Sequence, residues 1–392
     1  MNFIAIKMLM GDRAKYLGII MGLTFASLLI TQQLAIFFGL MTRTYGTITD
    51  LAQPDVWVMD PKVQFIDDIK PVQDTELYRV RGVQGVEWAV PLYKGLLKAR
   101  LDNGNFQTCN VLGLDDATLI GGPPVMVSGT LADLRRAEGI IVDEYGAAGK
   151  LAKTESGPDG EPLSGAVPVP LKVGDTLEVN DHRATVVGIC RVSRTFQSQP
   201  VLYTTYNRAT TFAPKERKLL SFVLVKAKPG EDVNALCARI TKVTGLAAYT
   251  RQAFKEKTFT YFMKYTGIPI NFGIAVVLGF IVGTAIAGQT FYSFTLENLR
   301  HFGALKAMGA GNGMLLKMIL LQAVLVGTIG YGLGVGLASL FGKLTSGSEL
   351  AFYLSWELLV FTAAAVMLIC VFSAFLSIRK VMTLEPAIVF KG

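Results

Sequence analysis

Four stretches of this chain hold no charged residue and are each long enough to cross a lipid bilayer, which limits the fold more than any other feature. They are 17–40, 265–296, 318–342 and 358–378. The first has 24 residues, which as a helix covers ~36 Å, enough for the hydrocarbon core with some tilt. A cleaved signal peptide is the competing reading of that run. Its apolar length exceeds a signal's short core, and Gln32, Gln33 and Phe37 offer no small-residue cleavage pattern, so it reads as a retained span. Of the 392 residues 51% are hydrophobic and only 17% charged, too apolar for a soluble protein of this length. The stretch between the first and second runs nevertheless has a soluble composition. The expected fold is an α-helical membrane protein with four transmembrane helices, at 17–41, 265–296, 314–342 and 358–378, plus a large α/β domain at 42–264.

Charge sets the orientation. The net charge is +8, but residues 42–264 hold 28 Lys and Arg against 25 Asp and Glu, so +5 belongs to the short flanks of the spans. Lys7, Arg13, Lys15, Arg300, Lys306, Lys317, Arg379, Lys380 and Lys391 gather on one side, whereas the 343–357 loop has Lys343 beside Glu349 and Glu357. Cations near span ends stay in the cytoplasm. Both termini, including the tail 379–392, are therefore expected there, with the 42–264 domain and the 343–357 loop outside. Residues 1–16 mix Phe3, Ile4, Ile6, Met8, Leu9 and Met10 with Lys7, Asp12, Arg13 and Lys15, as suits an amphipathic helix lying on membrane lipid. No basic stripe with interleaved aromatics is present, which argues against nucleic acid.

The outer domain reads as mixed α/β. Strand character appears at 55–59, 88–92, 95–101, 106–114 and 221–225, and helical character at 74–81 and 232–243, where Val233, Leu236, Cys237 and Ile240 share a face. These segments group into an inner lobe of 50–115 with 219–260, interrupted by an insertion, 116–218. Within it Gly157, Pro158, Gly160, Pro162, Gly165, Pro168 and Pro170 mark a breaker-rich loop before a hairpin turning at Asn180-Asp181. Cys109, Cys190, Cys237 and Cys370 form no CxxC pair and read as small buried side chains, with one disulfide in the outer domain as the alternative. No catalytic or metal-binding residue stands out. GxxxxGK[ST], GxSxG and HExxH are all absent, and of the two histidines His182 reads as a turn residue beside Asp181.

The segment joining the second and third spans is the most informative. Leu296, Leu299, Phe302, Leu305 and Met308 recur near every third residue, with Glu297, Arg300 and Lys306 between them, before the breaker Gly309-Ala310-Gly311. An amphipathic helix over 297–313 is expected, either a knob that a soluble motor could push or an ordinary interfacial loop. Gly279 and Gly283, and Gly332 and Gly336, form small-xxx-small pairs suited to packing within one chain or to a dimer seam.

Residues 297–310, ENLRHFGALKAMGA, resemble the E-x-x-x-E-[IF]-G-x-x-[KR]-A-[LM]-G-A signature of MacB/FtsX-type (type VII) ABC transporter permeases, with His301 where the family commonly has Glu. Residues 377–387, SIRKVMTLEPA, resemble the family's tail, and the order of spans matches throughout, most like DevC-like permeases. The resemblance implies a two-lobed MacB-type periplasmic domain and a bacterial inner-membrane location. It implies a second permease copy as homodimer partner, and a separate cytoplasmic ATPase that binds ATP and Mg, with no cofactor in this chain. It further implies mechanotransmission through Glu297, Arg300, His301, Ala304, Leu305, Lys306, Met308 and Gly309. Export of a lipid, glycolipid or other amphiphile with a periplasmic adaptor and outer-membrane channel follows, the alternatives being an FtsX-like activator of an outer hydrolase or a lipoprotein-extracting permease.

Overall fold

A computed structural model describes residues 2–153, 167–214 and 220–382. It divides into two compact units, a helical one of Met1–Leu40 with Gly267–Gly392 and a sheet domain of Met41–Thr266. From the N terminus, α1 (Asn2–Gly11), α2 (Arg13–Thr44) and α3 (Gly46–Asp50) precede β1 (Val56–Met59), α4 (Thr75–Arg81), β2 (Val86–Arg100) and β3 (Phe106–Leu114). Next come β4 (Val125–Ser128), β5 (Gly139–Asp143), α5 (Glu144–Ala148), β6 (Thr176–Val179), β7 (His182–Arg191) and β8 (Val201–Thr205). The sheet domain ends with α6 (Tyr206–Phe212), β9 (Phe222–Ala227), α7 (Val233–Thr244), β10 (Ala247–Thr250) and α8 (Arg251–Tyr265). The helical unit then resumes with α9 (Ile268–Glu297), α10 (Leu299–Ala307), α11 (Asn312–Leu344) and α12 (Trp356–Met382).

The four transmembrane helices are α2, α9, α11 and α12. In lipid the hydrophobic effect does not draw helices together, so close backbone approach matters more, and small residues provide it. A Cβ on Gly283 would collide with Ala26 of α2, one on Gly330 would lie 2.6 Å from Leu23 Cβ, and one on Gly327 would lie 2.6 Å from Cys370 Sγ. Gly334 faces Ser27, and Gly279 lies over Leu29 and Ile30. Thus α2 is gripped by glycines of α9 on one side and α11 on another. Gly332 and Gly336 meet nothing within 4 Å in this chain, so they do not serve packing within one chain, and they stay open to a second copy. The packing pair on α11 is Gly330 and Gly334, two residues away and so roughly 200° around the helix.

Span boundaries also differ from the expected ones, most clearly at the starts of the first two. The second span begins at Ile268, not 265, because Thr266 is extended (φ −120°, ψ 154°) and closes α8, after which Pro269 sits in the first turn of α9, where its missing N–H costs nothing. Residues 1–16 are not one helix: Asp12 lies outside both helices and α2 starts at Arg13, ahead of the apolar run. Ala5 and Leu9 of α1 are buried, and Gln322 Nε2 of α11 donates to Ala5 O at 2.7 Å, while Phe3, Ile4 and Met10 stay exposed.

The sheet domain is built on one mixed sheet of ten strands in the order β10-β1-β9-β2-β3-β8-β5-β7-β4, with β6 pairing β2 and β7. In β1 both faces are covered: Val56 and Val58 pack beneath α4 and α7 with Val80, Leu236 and Ile240, and Trp57 packs against Phe222 and Phe254. Strand β2 runs unbroken for 15 residues, where sequence patterning suggests two strands. Its first half, to Leu92, pairs with β9, and from Tyr93 it pairs with β3. The lobes therefore change over inside β2 and not at 115/116, and β3 belongs with the second lobe, against β8. The change-over is masked in sequence because residues 89–95 are buried throughout, Lys94 included, which pairs with Asp67.

At the β6–β7 turn Asn180 (φ 48°) and Asp181 (φ 64°) both adopt the left-handed region required by a type I′ hairpin. Of the expected breaker loop, Gly157, Pro158, Gly160, Pro162 and Gly165 lie outside the described residues, as do 383–392 of the tail. The four cysteines are buried free thiols with no disulfide. Burial pushes the thiol of Cys109 up to about 12 and that of Cys237 up to about 11.

Two outcomes follow from this packing. Gly283→Leu or Gly334→Leu should destabilise the detergent-solubilised protein by about 1–3 kcal/mol through overpacking, while Gly332→Leu and Gly336→Leu leave the melting temperature unchanged; equal effects would contradict the packing. At pH 7 maleimide should modify Cys109, Cys190 and Cys237 only after unfolding, as read by intact mass, and rapid native labelling would contradict their burial.

Candidate coupling site

The connection between α9 and α11 is a short elbow. α9 stops at Glu297 because Asn298 leaves the helical region in ψ (φ −87°, ψ 6°). Its side-chain Nδ2 donates to Phe294 O at 2.9 Å, and its carbonyl accepts from Phe302 N at 3.1 Å, so both groups are held at the bend. The nine residues of α10 then turn Phe302, Gly303 and Leu305 inward, with Phe302 fully buried among Phe291, Phe294 and Leu315 of the bundle's core. Arg300 and His301 face outward.

The far end of α10 explains the Gly-Ala that closes the motif. Gly309 N donates to Lys306 O at 3.1 Å and Ala310 N to Leu305 O at 3.0 Å, the paired bonds of a Schellman cap. Such a cap needs a left-handed residue, and Gly309 has φ +95°. Nothing lies within 4 Å of a Cβ placed there, so the demand is conformational and not spatial. A side chain in that conformation costs roughly 1–2 kcal/mol. Ala310 is buried against the core, the small apolar contact that accompanies the cap.

The expected helix over 297–313 is thus shorter. Glu297 closes α9, while Asn312 and Gly313 open α11. Met308, expected on the apolar face, is 76% exposed because it is the C-cap, beyond the helical register. Of the proposed coupling residues, Glu297, Arg300, His301, Met308 and Gly309 are exposed, Ala304 and Lys306 are half-buried, and Leu305 is buried support. Gly279 and Gly283 lie farther along α9, and Gly332 and Gly336 on the open face of α11, so neither pair belongs to the elbow.

Sequence reasoning missed the groups that fix the elbow in place. Lys15 near the start of α2 pairs with Glu297, and its Nζ also lies 3.2 Å from Asp12. The Lys15 backbone N–H and ammonium hold the Asp12 carboxyl below the usual carboxylate range. With Lys15 and Glu297 282 positions apart, no local pattern could reveal the pair. Asn298 was readable in principle as a residue that bonds its own backbone and interrupts helices. Among the described residues, no three His, Cys, Asp or Glu side chains gather as metal ligands would.

Residues 17–243 match the family model of the MacB-like periplasmic core domain, more than half of the chain, and residues 273–386 match that of the FtsX-like permease C-terminal. An uncharacterised ABC transporter permease of Methanocaldococcus jannaschii is 23% identical over 57% of this chain and 58% of its own length. The putative hemin transport system permease protein HrtB of Staphylococcus haemolyticus is 22% identical over 55% and 58%. The chain spans less than two thirds of the length of these curated relatives. The periplasmic region of MacB from Actinobacillus actinomycetemcomitans aligns at 14% identity, covering 53% of this chain and 94% of that one, with a TM-score of 0.35, too low to carry weight. Two domain matches in the order of the chain, together with the ENLRHFGALKAMGA elbow, make this chain a member of the MacB/FtsX-type family of ABC transporter permeases.

Proposed function

We propose that the chain is the permease subunit of an export complex in which a separate ATPase, holding ATP and Mg, moves α10 and the motion passes through the spans to the sheet domain. The elbow carries this reading: a short helix packed into the bundle on its apolar side, with Arg300 and His301 exposed on the other and Glu297 and Met308 exposed just beyond its two ends. A capped helix in a packed core moves as one piece, because such cores shift between discrete arrangements and do not deform continuously.

Two routes lead onward. α2 is unbroken to Thr44, a rod of 32 residues and ~48 Å, and Lys15 ties its start to Glu297 at the elbow. α9, by contrast, joins α8 through the non-helical Thr266, a joint. In this scheme both termini and the elbow face the cytoplasm of a bacterial cell and the sheet domain stands in the periplasm, as the flanking cations argue. A second copy of the chain completes a homodimer over two ATPase subunits. The uncharged runs hold no Asp, Glu, Lys or Arg, residues that ion and charged-substrate pathways usually keep, so cargo need not pass between the spans. The cargo is a lipid, glycolipid or other amphiphile, handed to a periplasmic adaptor and an outer-membrane channel. A relative named for hemin transport supports that chemical class, since hemin joins an apolar ring to carboxylates.

Gly309→Val, or Glu297→Ala with Arg300→Ala, should leave membrane insertion and ATP hydrolysis intact while lowering ATP-driven export about tenfold, equivalent to ~1.4 kcal/mol of lost coupling. Unchanged coupling in the purified complex would reject α10 as the receiving element. Orientation is checked separately: Met308→Cys should react with an impermeant maleimide only from the cytoplasmic face and Lys242→Cys only from the outer face, and the reverse pattern would overturn the scheme.

A further inference from the structure

The sheet domain holds a groove that the coupling scheme does not use. α8 buries Phe254, Thr258 and Phe262 on one side. The adjacent side presents Lys257, Tyr261 and Tyr265, which with Tyr249 of β10 and Gln64 of the β1–α4 connection line an open groove of about 760 Å³. That volume suits one small amphiphile. Three of its eight lining residues are tyrosines, and of these Tyr265 is 73% exposed.

The groove is held in shape. Phe65 stacks on Tyr261 with centroids 4.4 Å apart and 19° between planes, and meets Phe262 edge-on at 5.4 Å. The connection carrying Phe65 is fixed by Asp67, paired with the buried Lys94, and by Asp68, which accepts from Gln64 N at 3.0 Å. Lys257 Nζ sits 4.4 Å over the Tyr249 ring and donates to its hydroxyl at 3.0 Å, so the ammonium is oriented at the groove, with no carboxylate paired to it among the described residues. Glu256, the one acid lining the groove, accepts from Gln252 at 2.7 Å. α8 as a whole sets Arg251, Lys255, Lys257 and Lys264 against that single acid, and its last residue, Tyr265, stands three residues before the start of transmembrane helix α9.

We infer that this groove seats one anionic membrane lipid, its acyl portion against Tyr261 and Tyr265 and its headgroup phosphate against Lys257. Aromatic rings at a membrane boundary accept apolar chains on their faces, and a lysine beside them selects anionic over zwitterionic headgroups. Assigning the lipid to the outer leaflet rests on the orientation proposed above; the groove's chemistry does not.

The test uses the full chain alone in phosphatidylcholine nanodiscs, where both leaflets are accessible, doped with a photoactivatable phosphatidylglycerol or with its phosphatidylcholine analogue. Adducts are mapped by mass spectrometry. The phosphatidylglycerol probe should label 249–265 more than the phosphatidylcholine probe, and Lys257→Gln, which keeps the side chain's bulk, should reduce its labelling about fivefold. Tyr261→Ala should reduce labelling by both probes and Tyr261→Phe by neither. Equal labelling by the two probes, or labelling insensitive to Lys257→Gln, overturns the inference. Competition by excess glycerol phosphate would assign the groove to a free anion and overturn the lipid as its occupant. No ATPase or ATP is present, so a negative result leaves the coupling scheme standing, and failed coupling leaves this result standing.

Discussion

The rest of the structure depends on how closely α2 can be approached inside the bilayer. No charge is available within the uncharged runs to specify packing, and exclusion from water gives no preference for one apolar face over another in lipid. What remains is shape. Gly283 from α9 and Gly330 and Gly334 from α11 let the backbones close on Leu23, Ala26 and Ser27, which lie on one stretch of α2. With α2 fixed in this way, the charged groups are left to the helix ends, where Lys15 meets Asp12 and Glu297.

This arrangement gives the two connections between helical unit and sheet domain different mechanical characters. α2 continues without interruption, so its backbone hydrogen bonds resist bending along its length. Between α8 and α9 the chain instead passes through Thr266, which is extended, before Gly267 caps α9 and accepts from Asn271 N at 3.0 Å. In the proposed scheme α2 serves as a rod, Thr266 as a joint, and the elbow at α10 as the point where the push is applied. Its Schellman cap matters because it stops α10 at one fixed point, with Gly309 in a conformation that other residues resist.

Much of this was legible from the residues. The four transmembrane helices follow from length and the absence of charge. Phe106–Leu114 was readable as a strand in full, and the β6–β7 turn follows from Asn180-Asp181. What escaped was phase and long-range pairing. A glycine in an apolar helix announces close approach but not to which neighbour, so Gly332 and Gly336 look the same in sequence as Gly330 and Gly334. Met308 fits a three-residue spacing, yet that spacing has meaning only while the helix lasts, and α10 ends one residue earlier. The lobe boundary inside β2 was hidden because a strand buried on both faces carries no alternation to mark where its partner changes. The Lys15–Glu297 pair lies beyond any local pattern. Periodicity leaves a coupling element and an ordinary loop equally open at 297–313, and the MacB-like and FtsX-like matches add the family.

The central claim, that motion applied at the elbow reaches the sheet domain, can be read directly by electron spin resonance. A nitroxide on the exposed Lys242 position in both copies of the complex reports the distance between the sheet domains. Trapping ATP on the ATPase should shift that distance distribution in the native sequence and leave it unmoved when Gly309 is replaced by Val. A distribution that ignores ATP in the native complex, or one that shifts equally with Gly309→Val, would contradict the account.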